Sequence, residues 1–214
     1  MSAMYVPYTG AGFERAPESI LNLIAEVSYL LSIQGHTLRV GAYRGCSAAF
    51  TAGVNAAFRK GVCGTRPLTP KLSRPEPALK EVYLPYRGYE GHHDDAVFAY
   101  EDKIRDRIFS HLKKTDLAPY ISAPRSAIEL NDVVARVYQL LGNGLNRHSK
   151  FVLCWTPDAA TKFGECDFSN GSTFVTIALA EIFKIPVYNM CKPRHFEKIV
   201  ARVDDIKHGI IEKK

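Results

Sequence analysis

Apolar positions along this chain follow two periods. From 17 to 34, Ile20, Leu23, Ile24, Val27, Leu30 and Leu31 recur at steps of three and four, which predicts an amphipathic helix laid on a sheet. Tyr5-Val6-Pro7-Tyr8 before it suits a short buried strand, and Thr37-Leu38-Arg39-Val40 after it a second. Small side chains dominate 46–58, a second helix. Glu81-Val82-Tyr83-Leu84-Pro85 reads as a third strand. Residues 96–114 read as a helix, with Val97, Tyr100, Ile104, Ile108 and Leu112 on one stripe. A Pro-containing link covers 116–125. A helix from Ser126 or Ala127 to Leu141 turns Ile128, Val133, Val134, Val137 and Leu140 inward. The nearly all-apolar run Phe151-Val152-Leu153-Cys154-Trp155 predicts a strand covered on both faces. A polar loop over 156–170, a helix over 171–183, the strand Ile185-Pro186-Val187-Tyr188-Asn189 and a helix with a charged tail over 191–214 complete the pattern.

Strands alternating with helices predict an α/β, Rossmann-like fold: five or more mostly parallel strands with helices on both faces. With 214 residues, 46% of them hydrophobic, the chain suits one domain over 1–214 with a sizeable core. A basic, Pro-rich surface loop at about 60–80 and a helical insertion at about 96–125 interrupt the alternation. The loop holds Pro67, Pro70, Pro75 and Pro77 among five Lys or Arg residues.

Three strands end in glycine turns: Thr9-Gly10-Ala11-Gly12, Gly41-Ala42-Tyr43-Arg44-Gly45 and Asn170-Gly171-Ser172-Thr173. Strand C-termini in a parallel sheet share one edge, where ligands bind. Glycine lets the backbone turn sharply and come close to a ligand, and a helix start adds free N–H groups and partial positive charge. Gly10, Gly12, Gly41, Gly45, Gly171, Ser172 and Thr173 are therefore expected around one anion seat. Arg44 can grip a phosphate bidentately there. The first turn is G-x-G without the third glycine of the dinucleotide fingerprint.

Composition narrows the classes. The net charge of +6 is compatible with an anionic partner, nucleotide or nucleic acid. No run of about 18 apolar residues occurs, so no membrane span is expected. The start, Met1-Ser2-Ala3-Met4-Tyr5, lacks a signal pattern. Five cysteines without a CxxC pair point to reduced thiols in a cytoplasm and away from a zinc ribbon. His92-His93-Asp94-Asp95 offers four potential metal ligands, but adjacent residues do not converge on one ion; Asp94 or Asp95 better caps a following helix. No metal and no cofactor is expected. Cys154 reads as a core thiol, Cys166 as a thiol discouraged from ionising by Glu165 and Asp167, and Trp155 as a ring buried beside the sheet.

Taken in order, Tyr8-Thr9-Gly10-Ala11-Gly12, Leu38-Arg39-Val40-Gly41-Ala42-Tyr43-Arg44-Gly45-Cys46-Ser47-Ala48-Ala49-Phe50, Phe151-Val152-Leu153-Cys154-Trp155-Thr156-Pro157-Asp158, the Gly171 turn and Ile185-Pro186-Val187-Tyr188-Asn189 resemble the SLOG superfamily. That superfamily includes the DprA Rossmann-like domain and the cytokinin-activating LOG nucleosidases. The likeness is nearest to uncharacterised single-domain bacteriophage proteins of the layout YTGIGSR…LRSGGAxGAD…KEIYLPW…RN…FVICWTxDG…GGTGxA…IPVFN. This chain departs from the layout at Glu14, Ser47, Leu130-Asn131 and Asn170-Gly171-Ser172-Thr173. The nucleosidases also carry a glutamate just after the third turn, where Phe174, Val175 and Thr176 stand here.

The resemblance implies a nucleotide or nucleotide-derived small molecule as ligand, with Thr9 and Asn131 as further contacts to ribose or base. A phage origin would suit a sensing or sequestering role in the host cytoplasm. The LOG likeness implies an alternative, cleavage of the N-glycosidic bond of a nucleoside monophosphate. That chemistry needs a carboxylate, for which Glu14 and Glu129 remain, Glu181 lying too far along its helix. The DprA likeness implies another, single-stranded DNA binding, to which Lys60, Arg66, Lys71 and Arg74 could contribute. Related domains pair through their helices, which implies a homo-oligomer.

Overall fold

The structure, a computed structural model, describes residues 6–60, 62–63, 66–67, 79–92, 96–97, 102–168 and 171–209, with backbone alone at 62–63, 66–67 and 96–97. Strand β1 (Val6–Gly10) leads into helix α1 (Glu18–Ile33), strand β2 (His36–Val40) and helix α2 (Cys46–Arg59). Two short antiparallel strands, β3 (Val62–Cys63) and β4 (Arg66–Pro67), lie within the expected basic loop, whose remainder falls mostly outside the described residues. Strands β5 (Lys80–Tyr83) and β6 (Ala96–Val97) precede helices α3 (Asp102–Leu112), α4 (Ala118–Ser122) and α5 (Ala127–Leu141). Strand β7 (Val152–Cys154), helix α6 (Thr173–Ile182), strand β8 (Val187–Asn189) and helix α7 (Pro193–Lys207) follow.

The main sheet runs β6-β5-β2-β1-β7-β8, and every pairing is parallel. The fold is α/β and Rossmann-like, as the alternation predicts. The chain steps outward from β1 through β2, β5 and β6, then returns to β7 on the other side of β1. Strand order therefore reverses between β1 and β7, and a crevice opens beyond their C-terminal ends.

Alternate strand residues serve opposite faces. Tyr8, Leu38, Val40, Val82 and Leu153 meet Ile24, Val27, Phe50, Val54 and Ile199, carried by α1, α2 and α7. Tyr83, Val152 and Cys154 meet Leu112, Val133, Val137, Val175 and Leu179, carried by α3, α5 and α6. Each such fully buried aliphatic side chain contributes about 1.5–3 kcal/mol. Arg39 breaks the apolar rule at 1% exposure. It stands in register with Glu81 across β2 and β5, Nε to Oε2 2.7 Å, and Tyr83 donates its hydroxyl to the same oxygen at 2.6 Å. Losing one partner of such a pair would leave an uncompensated buried charge.

Two expectations need correction. Residues 96–114 are not one helix: Ala96 and Val97 pair with Val82 and Tyr83 as β6, and the helix starts at Asp102. The open sheet edge offers these residues a ladder that outweighs their helical spacing. The link at 116–125 contains the short helix α4, whose Pro119 stands in the first turn, where a missing N–H is harmless. Helix α5 starts as expected, because Ser126 and Glu129 form a reciprocal capping box.

The small residues of α2 permit its close crossing with α1. A Cβ on Gly53 would collide with the carbonyl oxygen of Ala25 and come within 2.8 Å of Ser28 Cβ. Ser28 Oγ donates to the Phe50 carbonyl at 2.8 Å and lies 2.9 Å from the Tyr8 hydroxyl, tying both helices to β1. Gly53→Ala is therefore expected to lose about 1–3 kcal/mol in urea unfolding through overpacking, although alanine is intrinsically the better helix former by about 1 kcal/mol. A gain in stability would contradict the close crossing.

Candidate functional site

The chain leaving β1 stays clamped to β7. The amides of Thr9, Ala11 and Phe13 donate to the carbonyls of Phe151, Leu153 and Trp155 at 3.0, 3.0 and 2.9 Å. The Gly12 amide, on the other side of this extended segment, has no acceptor among the described residues. Gly12 has φ 151°, and a Cβ there would lie 2.6 Å from Cys46 Sγ and 2.9 Å from the Trp155 carbonyl oxygen. The second turn is pressed onto the first. Gly45 has φ 63°, and its Cβ would collide with the carbonyl oxygen of Glu14. Backbone cannot yield as a side chain tip can, so only glycine fits at both positions.

This contact aims two helix starts into one hollow. Helix α2 begins immediately after Gly45, and α6 immediately after Ser172; neither has a side-chain cap. The amides of Ser47, Ser172 and Thr173 have no acceptor among the described residues, while the Cys46 amide faces its own sulfur. Each helix start leaves unsatisfied N–H groups and carries about half a positive charge. Between them lies a cavity of about 200 Å³.

Of the expected site residues, Gly10, Gly12, Arg44, Gly171, Ser172 and Thr173 line this cavity. Thr9, Gly41, Gly45 and Asn131 do not. Thr9 is buried, its hydroxyl 2.9 Å from both the Gln139 carbonyl and the Ser149 hydroxyl. The Tyr43 ring covers Gly41, Gly45 spaces the two turns, and Asn131 faces α3, with its Oδ1 3.4 Å from Arg105 Nη1. Asn170 lies outside the described residues.

The sequence reading missed the α5 wall. Arg136 is only 4% exposed, yet it lines the cavity. Its Nε donates to Asp132 Oδ2 at 2.8 Å, Nη1 to Thr176 Oγ1 at 2.7 Å and Nη2 to Ser172 Oγ at 2.7 Å. The other Asp132 oxygen accepts the Tyr43 hydroxyl, and the guanidinium stands 5.0 Å from the Tyr43 ring centroid. Three of the five guanidinium N–H groups are engaged, leaving two. Ser172, with φ -82° and ψ 5°, lacks the extended backbone of a capping residue, and its hydroxyl makes no cap bond to α6. Gln139, one turn further along α5, is 1% exposed, and its Nε2 has no partner. A buried unsatisfied donor costs about 1–3 kcal/mol. Arg44 and Glu14 are exposed at the rim, and Arg44 makes no ion pair or hydrogen bond among the described residues.

Asp132 neutralises Arg136, and Glu14 offsets Arg44. The bias toward an anion therefore comes from the uncapped helix starts and the spare N–H donors. Glu14 is the one carboxylate on the cavity wall among the described residues. Glu129 is held in its capping box: hydrogen bonds from the Ser126 amide and hydroxyl, then Arg125, keep its carboxyl below the usual range. Glu181 Oε2 accepts the Phe163 amide at 2.8 Å. His93, Asp94 and Asp95 lie outside the described residues, among which no group of three or more His, Cys, Asp or Glu could hold a metal ion. Trp155 is half-buried against the core.

No protein-family model, curated protein or solved structure matches the chain. No helix among the described residues is long and apolar enough to cross a membrane.

Cys46 poses a conflict, since a helix start favours a thiolate and burial opposes it. Burial wins: the thiol is pushed up to about 12. Cys166 is also pushed up to about 12, by burial first and then by Asp158, Glu165 and Glu181. Iodoacetamide at pH 8 is therefore expected to leave Cys46 and Cys166 unmodified in the folded protein and to label both in guanidinium, as read by peptide mass spectrometry. Rapid labelling of Cys46 in the folded protein would contradict its burial beneath Gly12.

Proposed function

We propose that the cavity at the β1/β7 reversal binds the phosphate of a nucleotide or nucleotide-derived small molecule. One observation carries this reading: two uncapped helix starts and the free Gly12 amide converge on a hollow whose wall holds a buried arginine with donors to spare. A buried ion pair adds little stability over an apolar pair of the same volume, so Arg136 and Asp132 are better explained by what they present to the cavity. The unpartnered Gln139 amide fits the same reading, since a ligand oxygen would satisfy it. Glu14, at the rim, suits sugar hydroxyls.

Membership of the SLOG superfamily, homo-oligomeric assembly and a sensing or sequestering role belong to this proposal and rest on the sequence resemblance; a cytoplasmic location belongs to it too and rests on the scattered cysteines without a CxxC pair. The hydrolytic alternative would fall to Glu14, the carboxylate the cavity offers.

Isothermal titration with a panel of nucleotides tests the reading, with chromatography of the mixture afterwards to detect released base. Binding is expected to weaken with added salt. Arg44→Gln should weaken it about tenfold, the loss of roughly one charge-assisted hydrogen bond, without lowering the melting temperature, because Arg44 is exposed and unpaired among the described residues. Failure of every phosphate-bearing probe to bind would overturn the reading.

A further inference from the structure

A second hollow of about 610 Å³ adjoins the cavity and shares Gly171 and Ser172 with it. Its walls are aromatic: Tyr120 from α4, Phe163 and Phe168 from the loop after β7, and Phe174 from the first turn of α6. The rings meet edge to face. Phe168 and Phe174 stand 4.8 Å apart at 88°, and Tyr120 and Phe174 5.0 Å apart at 85°. Phe168 is 60% exposed. A single exposed ring is ordinary, but four rings around one concavity form an apolar patch of the kind that marks a binding surface.

The loop that carries Phe163 and Phe168 is tied down by polar bonds. Buried Asn189 donates to the Thr156 hydroxyl at 2.6 Å and to the Ala160 carbonyl at 2.8 Å. Asp158 accepts the Ala160 amide at 3.1 Å and the Asp167 amide at 2.8 Å. Glu181 fixes the Phe163 amide from α6. These bonds fix the loop at Thr156, Ala160, Phe163 and Asp167.

Two polar groups stand at the margin. The Arg125 guanidinium lies 3.7 Å from the Tyr120 ring centroid and keeps Nη2 unengaged, while Nε bonds the Tyr120 carbonyl and Nη1 bonds Glu129. Asp116 makes no hydrogen bond or ion pair among the described residues. An aromatic slot with one donor and one acceptor at its edge is the environment that recognises a flat, hydrogen-bonding ring. Size points the same way. The 200 Å³ cavity lies below the usual range of about 300–1,000 Å³ for small-molecule sites, and the adjoining hollow brings the combined space within it.

We propose that this hollow is a second subsite, which takes the planar heteroaromatic ring of the ligand whose phosphate sits in the cavity. The ligand would bend across Gly171 and Ser172, the shared rim. Gly171 suits that place because it has φ 74° and no side chain to obstruct the passage. This inference rests on the phosphate reading above.

The test compares inorganic phosphate, ribose 5-phosphate and the four common 5′-nucleoside monophosphates by isothermal titration, using the full chain. At least one monophosphate is expected to bind about tenfold or more tightly than ribose 5-phosphate. Phe168→Ala, which removes an exposed ring, should cut that affinity to about the level of ribose 5-phosphate and leave ribose 5-phosphate itself unchanged. Phe168→Trp should retain the preference. Should Phe168→Ala fail to fold, as read by thermal melting, the wild-type comparison of probes still decides. Equal affinity for ribose 5-phosphate and every monophosphate would overturn the aromatic subsite and leave the phosphate reading standing, as would an equal loss for both ligands in Phe168→Ala. Absence of binding by phosphate, ribose 5-phosphate and the monophosphates alike would overturn both.

Discussion

A helix cannot satisfy its own first amides, and this chain leaves two sets of them aimed at one place. The start of α2 and the start of α6 face each other across the reversal between β1 and β7. Proteins commonly close such ends with a side chain from the N-cap residue. Here the residue before α2 is Gly45, which has none to offer, and Ser172 before α6 makes no cap bond while its hydroxyl accepts from Arg136. Exposed amide donors thus result from two specific choices of residue.

The rest of the fold maintains that geometry. The parallel sheet delivers the C-termini of β1, β2 and β7 to one edge. The continued pairing of Ala11 and Phe13 with β7 fixes the first turn, and the backbone contact between Gly45 and Glu14 fixes the second against it. Helix α5 supplies the third wall. Asp132, Arg136 and Gln139 stand about one turn apart on it, a polar stripe along a helix otherwise buried from Val133 to Leu141. The cost of burying that stripe is offset within the protein for Arg136, through Asp132, Thr176 and Ser172, but not for Gln139 Nε2. The unsatisfied amide and the free helix ends are the same kind of deficit in the same hollow, and one anion would relieve both.

Much of the architecture was legible because local and global preferences agree. Six of the expected residues reach the cavity: Gly10, Gly12 and Arg44 stand at or just beyond the ends of β1 and β2, whereas Gly171, Ser172 and Thr173 open α6 after a long loop beyond β7. Ala96 and Val97 were misread because their spacing fits a helix as well as a strand, and the decision lies in pairing with Val82 and Tyr83. Arg136 was missed because a lone arginine on an amphipathic helix reads as a solvated face. Its burial depends on Ser172 and Thr176, 36 and 40 residues away. The available signal was Asp132 one turn before it, with Gln139 one turn after, inside an apolar run. Asn131, the neighbour of Asp132, faces elsewhere, because a step of one residue turns the side chain about 100° around the helix, here toward α3.

Amide chemical shifts of ¹⁵N-labelled protein titrated with inorganic phosphate and then with a nucleoside monophosphate give the most direct reading of where an anion sits. Gly12, Ser47 and Thr173, together with the Gln139 side-chain amide, are expected to move on one saturating curve. Shifts confined to residues beside surface lysines, growing without saturation while those four stay still, would contradict an anion seat at the strand reversal.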